Sequence, residues 1–177
     1  MHAINEGTAR IKRYDALLTE LVPQTEQAQL IQALQAFRGI KLLTAASIAF
    51  ELGDVKRFGT AKKLMSYVGL TPSEASSGDR VRRGGITKAG NQGLRRLMVE
   101  SAWSYRHTLK ESYLLKKRAE GVAPGVRKIA FDAQVRLHGR YKRLLGRGKN
   151  KQITLTAIAR ELLGFIWAAA HEQVLVS

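Results

Sequence analysis

The 177-residue sequence predicts an all-α fold, a helical bundle. Three observations carry this. Apolar residues recur at helical spacing in most segments. No stretch of any length alternates apolar and polar residues as a strand would, and no period suggests a solenoid. Hydrophobic residues make up 45% and charged residues 25%, a globular balance with enough chain for a real core. The expected organisation is a helical arm over residues 1–23 and one helical domain over residues 24–177.

The arm carries Ile4, Ile11, Tyr14, Leu18 and Leu21 at heptad a and d positions, with Gly7 at one d position. It reads as a long amphipathic, coiled-coil-like helix that packs on its own domain or pairs with another chain. Pro23 ends it. A second helix follows, with Leu30, Ile31, Leu34 and Phe37 on one face, then the turn Phe37-Arg38-Gly39-Ile40-Lys41. An alanine-rich third helix spans residues 42–52. Residues 30–53 thus look like a helix-hairpin-helix, whose turn amides at Gly39 can approach a DNA phosphate without reading sequence. A plain antiparallel helix pair gives the same pattern.

Thr60 is an N-cap candidate for a short helix over residues 61–68, and Gly69 is its stop signal, with Pro72 preventing resumption. Asn91 can cap a helix running to about residue 107, with Leu94, Leu97, Met98, Ser101, Ala102 and Tyr105 inward. Met98 and Trp103 read as core or semi-buried. Residues 121–125 break the chain. The helix over residues 126–145 turns Val126, Ile129, Ala133, Leu137, Tyr141 and Leu144 inward, and His138 reads as surface or semi-buried. A polar linker, residues 146–152, leads to the last helix, residues 153–171, with Leu155, Ile158, Leu162, Phe165 and Ala169 on one stripe and Trp167 beside it.

Charge narrows the function. There are 30 Lys plus Arg against 14 Asp plus Glu, a net charge of +16. Of these, 20 basic and 6 acidic residues lie between Ser73 and Lys151. Such clustering implies a polyanionic partner: DNA, RNA or an anionic membrane. No apolar run approaches the length of a membrane span, and no signal-peptide pattern opens the chain, which favours a nucleic acid in a cytoplasmic, nucleoid-associated setting. Without cysteine there is no thiolate metal site, and no carboxylate cluster suggests a metal centre.

The glycine-rich stretch 69–96 holds Ser76 and Ser77 beside Arg80, Arg82, Arg83, Lys88, Arg95 and Arg96. Hydroxyls among guanidinium groups suit a phosphodiester, because arginine matches phosphate geometry with paired hydrogen bonds. Arg95 and Arg96 sit at a helix start, where cations oppose the macrodipole. Either an anion bound there or nearby acidic side chains would relieve that misfit. Further along, Arg136, Arg140, Arg143 and Arg147 recur at spacings of four, three and four. They form a stripe that suits a phosphate backbone or a solvated helix face.

Three pieces in this order resemble the insertion-sequence transposases called IS one-ten, grouped with IS one-sixteen. They are the helix hairpin over residues 34–53; Gly69-Leu-Thr-Pro with Ser77-Gly78, the basic run, Ile86-Thr-Lys-Ala-Gly-Asn91 and Leu94-Arg-Arg; and Arg136-Leu-His-Gly-Arg-Tyr with Ile158-Ala-Arg-Glu-Leu. The resemblance covers residues 33–170 and implies the C-terminal transposase domain over residues 24–177. It comprises the hairpin (30–53), a serine and basic loop (69–91), basic helices (91–147) and a core helix (153–171). It further implies a serine nucleophile that attacks DNA, which carries over to Ser77, with Ser76 the alternative. Arg80, Arg82 and Arg83 would stabilise charge on phosphorus. The partners implied are DNA, a structured guide RNA in some members, and further copies in a dimer or higher homo-oligomer. Divalent metal (Mg) belongs to a RuvC-like domain that this sequence lacks, so the chain alone is expected to bind nucleic acid without recombining it. The competing reading is a non-enzymatic nucleic-acid-binding module or a decayed remnant.

Overall fold

The computed structural model describes residues 2–77 and 80–176, with side chains over 4–73 and 84–172. In chain order the elements are α1 (His2–Leu21), α2 (Ala28–Gln35), α3 (Leu42–Leu52), α4 (Ala61–Tyr67), β1 (Pro72–Ser77), β2 (Arg80–Ile86), α5 (Gln92–Ala102), α6 (Tyr113–Arg118), α7 (Pro124–Gly146) and α8 (Lys151–Val176). Short 3-10 turns lie at Val22–Gln24, Val55–Arg57 and Trp103–Arg106. The architecture is all-α, with one two-stranded hairpin inserted between α4 and α5.

Helix α8 is the centre. It packs against α2, α4, α5 and α7. Leu155, Ile158, Ala159, Leu162, Leu163, Ile166, Ala169 and Ala170 are buried on it, and no residue from Thr154 to Glu172 is exposed. An apolar helix covered on every side belongs in a core. By length and composition alone, Lys151–Glu172 would also suffice to cross a membrane. This amends the sequence reading that no run reaches that length. The helix is long and apolar because four others surround it. Gly164 brings α4 close, since a Cβ there would lie 3.1 Å from Met65 Cε.

The helices follow their sequence signals. Thr60 caps α4, its hydroxyl accepting from the Lys63 N–H at 3.3 Å. Pro124 opens α7 instead of merely breaking the chain, its fixed φ suiting the first helical turn. On α7, Val126, Ala133, Leu137 and Tyr141 are buried as their spacing requires. Two side chains depart from expectation. His138 is buried, its Nδ1–H donating to the Tyr105 carbonyl at 3.1 Å. Tyr105 is itself fully enclosed, and burial pushes its phenol well above the ordinary value. Trp103 is partly exposed, with the Arg106 guanidinium 5.0 Å from its ring.

Helix α1 leaves most of its apolar face uncovered: Ile4 is 73% exposed, Ile11 62% and Tyr14 52%. It packs against α3 and the turn that follows it. The α2–α3 turn has Gly39 at φ +85°, where a Cβ would lie 2.5 Å from the Ser101 carbonyl oxygen and 2.7 Å from Ser104 Oγ. That glycine lets the turn press against the end of α5.

The strand-free expectation is corrected at β1 and β2. They pair antiparallel, with Glu74 opposite Arg83, Ala75 opposite Arg82, Ser76 opposite Val81 and Ser77 opposite Arg80. Neither strand sequence carries an apolar stripe. Backbone pairing and a clamped base hold the hairpin instead. At the base, the Thr87 N–H donates to the Thr71 carbonyl (2.9 Å), Lys88 to Gly69 (3.2 Å) and Asn91 to Tyr67 (3.1 Å). Gly69 (φ +72°) and Gly90 (φ +109°) approach so closely that a Cβ on either would collide with a carbonyl of the opposite segment. Above the base, the register shifts between Pro72 and Glu74, where Ser73 Oγ donates to the Gly85 carbonyl at 3.0 Å. A bulge there bends the ribbon and increases its twist.

Gly90→Ala adds both a collision and a left-handed strain. It is expected to destabilise the chain by more than about 1 kcal/mol in urea unfolding. Gly85→Ala, with open space around its Cβ, is expected to cost much less.

Candidate nucleic-acid interface

The hairpin stands between two capped helices. Asn91 Oδ1 accepts from the Leu94 N–H at 2.8 Å, fixing the start of α5. Its Nδ2 donates to Glu51 Oε2 at 2.5 Å, tying that start to α3. One side chain thus caps a helix and joins two elements beside the clamped base.

Both arginines at the start of α5 have partners within the chain. Arg95 Nη1 donates to the Val68 carbonyl at 2.9 Å, satisfying a free C=O at the end of α4. Its guanidinium closes over Gly69. Arg96 pairs with Glu100 one turn on, at 2.9 Å. Both groups are well exposed, so this pair is worth only a few tenths of a kcal/mol and can be exchanged for an anion. Lys88 is exposed at φ +55°, next to the base. The side chains of Ser76, Ser77, Arg80, Arg82 and Arg83 lie outside the described ones, as does all of Gly78. Their strand register is what the structure gives.

The stripe on α7 divides in two. Arg136 hydrogen-bonds through Nε to Glu161 Oε1 of α8. Arg140 Nε lies 3.0 Å from Glu161 Oε2, in ion-pair contact without hydrogen-bond alignment. Glu161 is largely enclosed and serves both. The hydrogen-bonded carboxylate holds the Arg136 guanidinium above its ordinary value. Arg143 and Arg147, toward the end of α7, have no acidic partner among the described residues. The repulsion along the upper part of the stripe is therefore relieved from within, by an acid 25 residues away in sequence.

Gly39, the other phosphate candidate, is half-buried against Ser101 and Ser104. Cations that the sequence reading passed over lie beside it. Arg38 and Arg118 reach across to backbone carbonyls, and Lys110 lines the same cavity. Their spacing of 72 and 80 residues in sequence gave no signal. Among the described residues, no three of His, Asp or Glu gather where they could hold a metal ion.

Residues 31–116 match the sequence profile of the Transposase IS116/IS110/IS902 family. The chain is 45% identical over 158 residues to the y4qE protein of Sinorhizobium fredii, which carries a transposase name. That alignment takes in 89% of this chain and 40% of the y4qE protein. It is 33% identical over 112 residues to a transposase for insertion sequence element IS1111A from Coxiella burnetii, covering 60% of this chain and 30% of that protein. An insertion element IS110 protein of 43.6 kDa from Streptomyces coelicolor is 31% identical over 116 residues, 64% of this chain and 29% of its own. The chain thus spans less than half the length of these relatives. The matched residues 31–116 run from α2 through the hairpin to α6, the part of the fold that carries the clamped base, and over them the chain matches the IS116/IS110/IS902 transposase family.

Proposed function

We propose that this domain binds DNA along its basic surface and presents Ser77 to a DNA phosphodiester as the nucleophile of a transposase. The observation that carries this reading is the hairpin itself. Two adjacent serines and three arginines, in a chain that matches a transposase family, lie on an antiparallel ribbon above a base clamped by backbone hydrogen bonds. In the strand register Ser77 is the partner of Arg80 and Ser76 the partner of Val81. The choice of Ser77 over Ser76 rests on the family resemblance, in which the serine directly precedes a glycine.

The chemistry balances without an energy source. Ser77 Oγ forms a bond to phosphorus and gives up its proton. The P–O bond to the DNA sugar breaks, and the departing oxygen takes up a proton. One phosphodiester is exchanged for another, so the reverse attack by a different DNA hydroxyl rejoins strands. Arginine donors near the phosphorus stabilise the extra charge of the five-coordinate transition state. On this reading the metal-binding acids belong to a RuvC-like domain beyond this sequence. Structured guide RNA and self-association would be further partners of the complete protein.

In a complete transposase of this family, Ser77→Ala is expected to abolish strand exchange while leaving DNA affinity within about twofold. Full activity would sink the assignment, and loss with Ser76→Ala alone would move it by one residue. For the chain alone, fluorescence anisotropy over a salt series is expected to give a slope of log affinity against log salt of roughly −5 on duplex DNA, for about six phosphate contacts. A steeper response on structured RNA would shift the partner to RNA. Glu161→Ala frees Arg136 and Arg140. It is expected to lower stability by about 0.5–1 kcal/mol in urea unfolding and to steepen the DNA slope by up to about 2.

A further inference from the structure

A second cationic feature lies on the side of the α2–α3 turn and uses none of the residues discussed for the hairpin or the α7 stripe. It is a cavity of about 320 Å³ lined by Arg38, Ser104, Thr108, Lys110, Ser112 and Arg118, among others, with no Asp or Glu in its lining. Both guanidinium groups are fixed by neutral acceptors. Arg38 donates to the carbonyls of His107 (3.2 Å), Thr108 (2.8 Å) and Lys110 (2.5 Å). Arg118 donates through Nη1 to the Ile40 carbonyl at 2.7 Å, and its buried Nε has no partner.

Carbonyls orient a guanidinium but do not cancel its charge. Three cations around one open cavity, without a carboxylate, leave a positive potential that water alone must offset. Burial acts in the same sense, pulling the Arg118 guanidinium down from its ordinary value without a counter-ion to restore it. Three hydroxyls, from Ser104, Thr108 and Ser112, add neutral donors at the same place. Fixed guanidiniums, a mobile ammonium and hydroxyls in a small open cavity form a donor set for a tetrahedral oxyanion.

We infer that this cavity seats one backbone phosphodiester of the bound nucleic acid, gripped by Lys110 and Arg118 and flanked by the turn that Arg38 bolts to residues 107–110. The inference rests on the nucleic-acid reading above. It assigns the phosphate contact of the helix hairpin to the cations beside the Gly39 turn.

Lys110→Ala keeps the backbone carbonyl that Arg38 needs, so the local fold is preserved. Arg118→Gln is the second variant, with circular dichroism confirming its fold. Lys12→Ala, on exposed α1, is the control for lost charge. Salt-series anisotropy is run on duplex DNA and on structured RNA, with inorganic phosphate as competitor. Lys110→Ala or folded Arg118→Gln is expected to reduce the magnitude of the duplex slope by about 0.9 and to weaken binding at low salt several-fold, beyond the control. The polymer on which that loss appears identifies the source of the phosphate. Release by inorganic phosphate beyond that caused by chloride at equal ionic strength would support a local seat. If the wild type binds but both variants follow the control on both polymers, the cavity assignment falls and the wider nucleic-acid reading stands. If the wild type binds neither polymer, both fall.

Discussion

Enclosure of α8 is the constraint on which the rest of the fold depends. A helix with no exposed residue from Thr154 to Glu172 cannot fold alone in water. It must be surrounded, and α2, α4, α5 and α7 meet that need with their own apolar stripes. Each of those helices then has one face committed inward and one left for other uses. The cations of α7 and the start of α5 lie on the outward faces because the inward ones are taken.

A second constraint operates where the packing ends. The base of the hairpin has its own source of definition. Gly69 and Gly90 supply it by letting two segments approach at carbonyl contact distance. Asn91 then passes that fixed geometry into α5 and α3 through two hydrogen bonds. The base of the ribbon is thereby fixed to the helical body.

The helices were legible because their signals are local. Thr60 and Asn91 cap where their types and positions say they should, and α3 begins and ends at the residues read from its pattern. The hairpin was not legible. Strand reading relies on alternation of apolar and polar positions, and the sequences PSEASS and RVRRGGI carry too few apolar residues to alternate. Glu161 was equally hidden. Its pairing with Arg136 and Arg140 follows from how α7 lies on α8, which no spacing within α7 encodes. The fixing of Arg38 by residues 107–110 is a tertiary event of the same kind. The preference for Ser77 over Ser76 came from the family resemblance, because residue chemistry alone left two serines in a turn.

The arginines of this chain fall into two kinds, and the distinction decides what net charge means here. Arg38, Arg95 and Arg118 spend their hydrogen bonds on backbone carbonyls and hold elements together. A carbonyl accepts a donor without neutralising it, so these residues build the scaffold and still contribute their full positive charge to the field. Arg136 and Arg140 are neutralised in part by Glu161, and Arg96 by Glu100. Arginine makes the first arrangement possible because its planar fork offers several donors at once, where a lysine would give a single point contact. A basic domain built this way gains internal order without losing its attraction for a polyanion. Carboxylate bridges in the same places would have held the elements as firmly and cancelled the charge. The excess of +16 is therefore compatible with a well-packed fold, and the scaffold itself helps to generate the positive field of the basic surface.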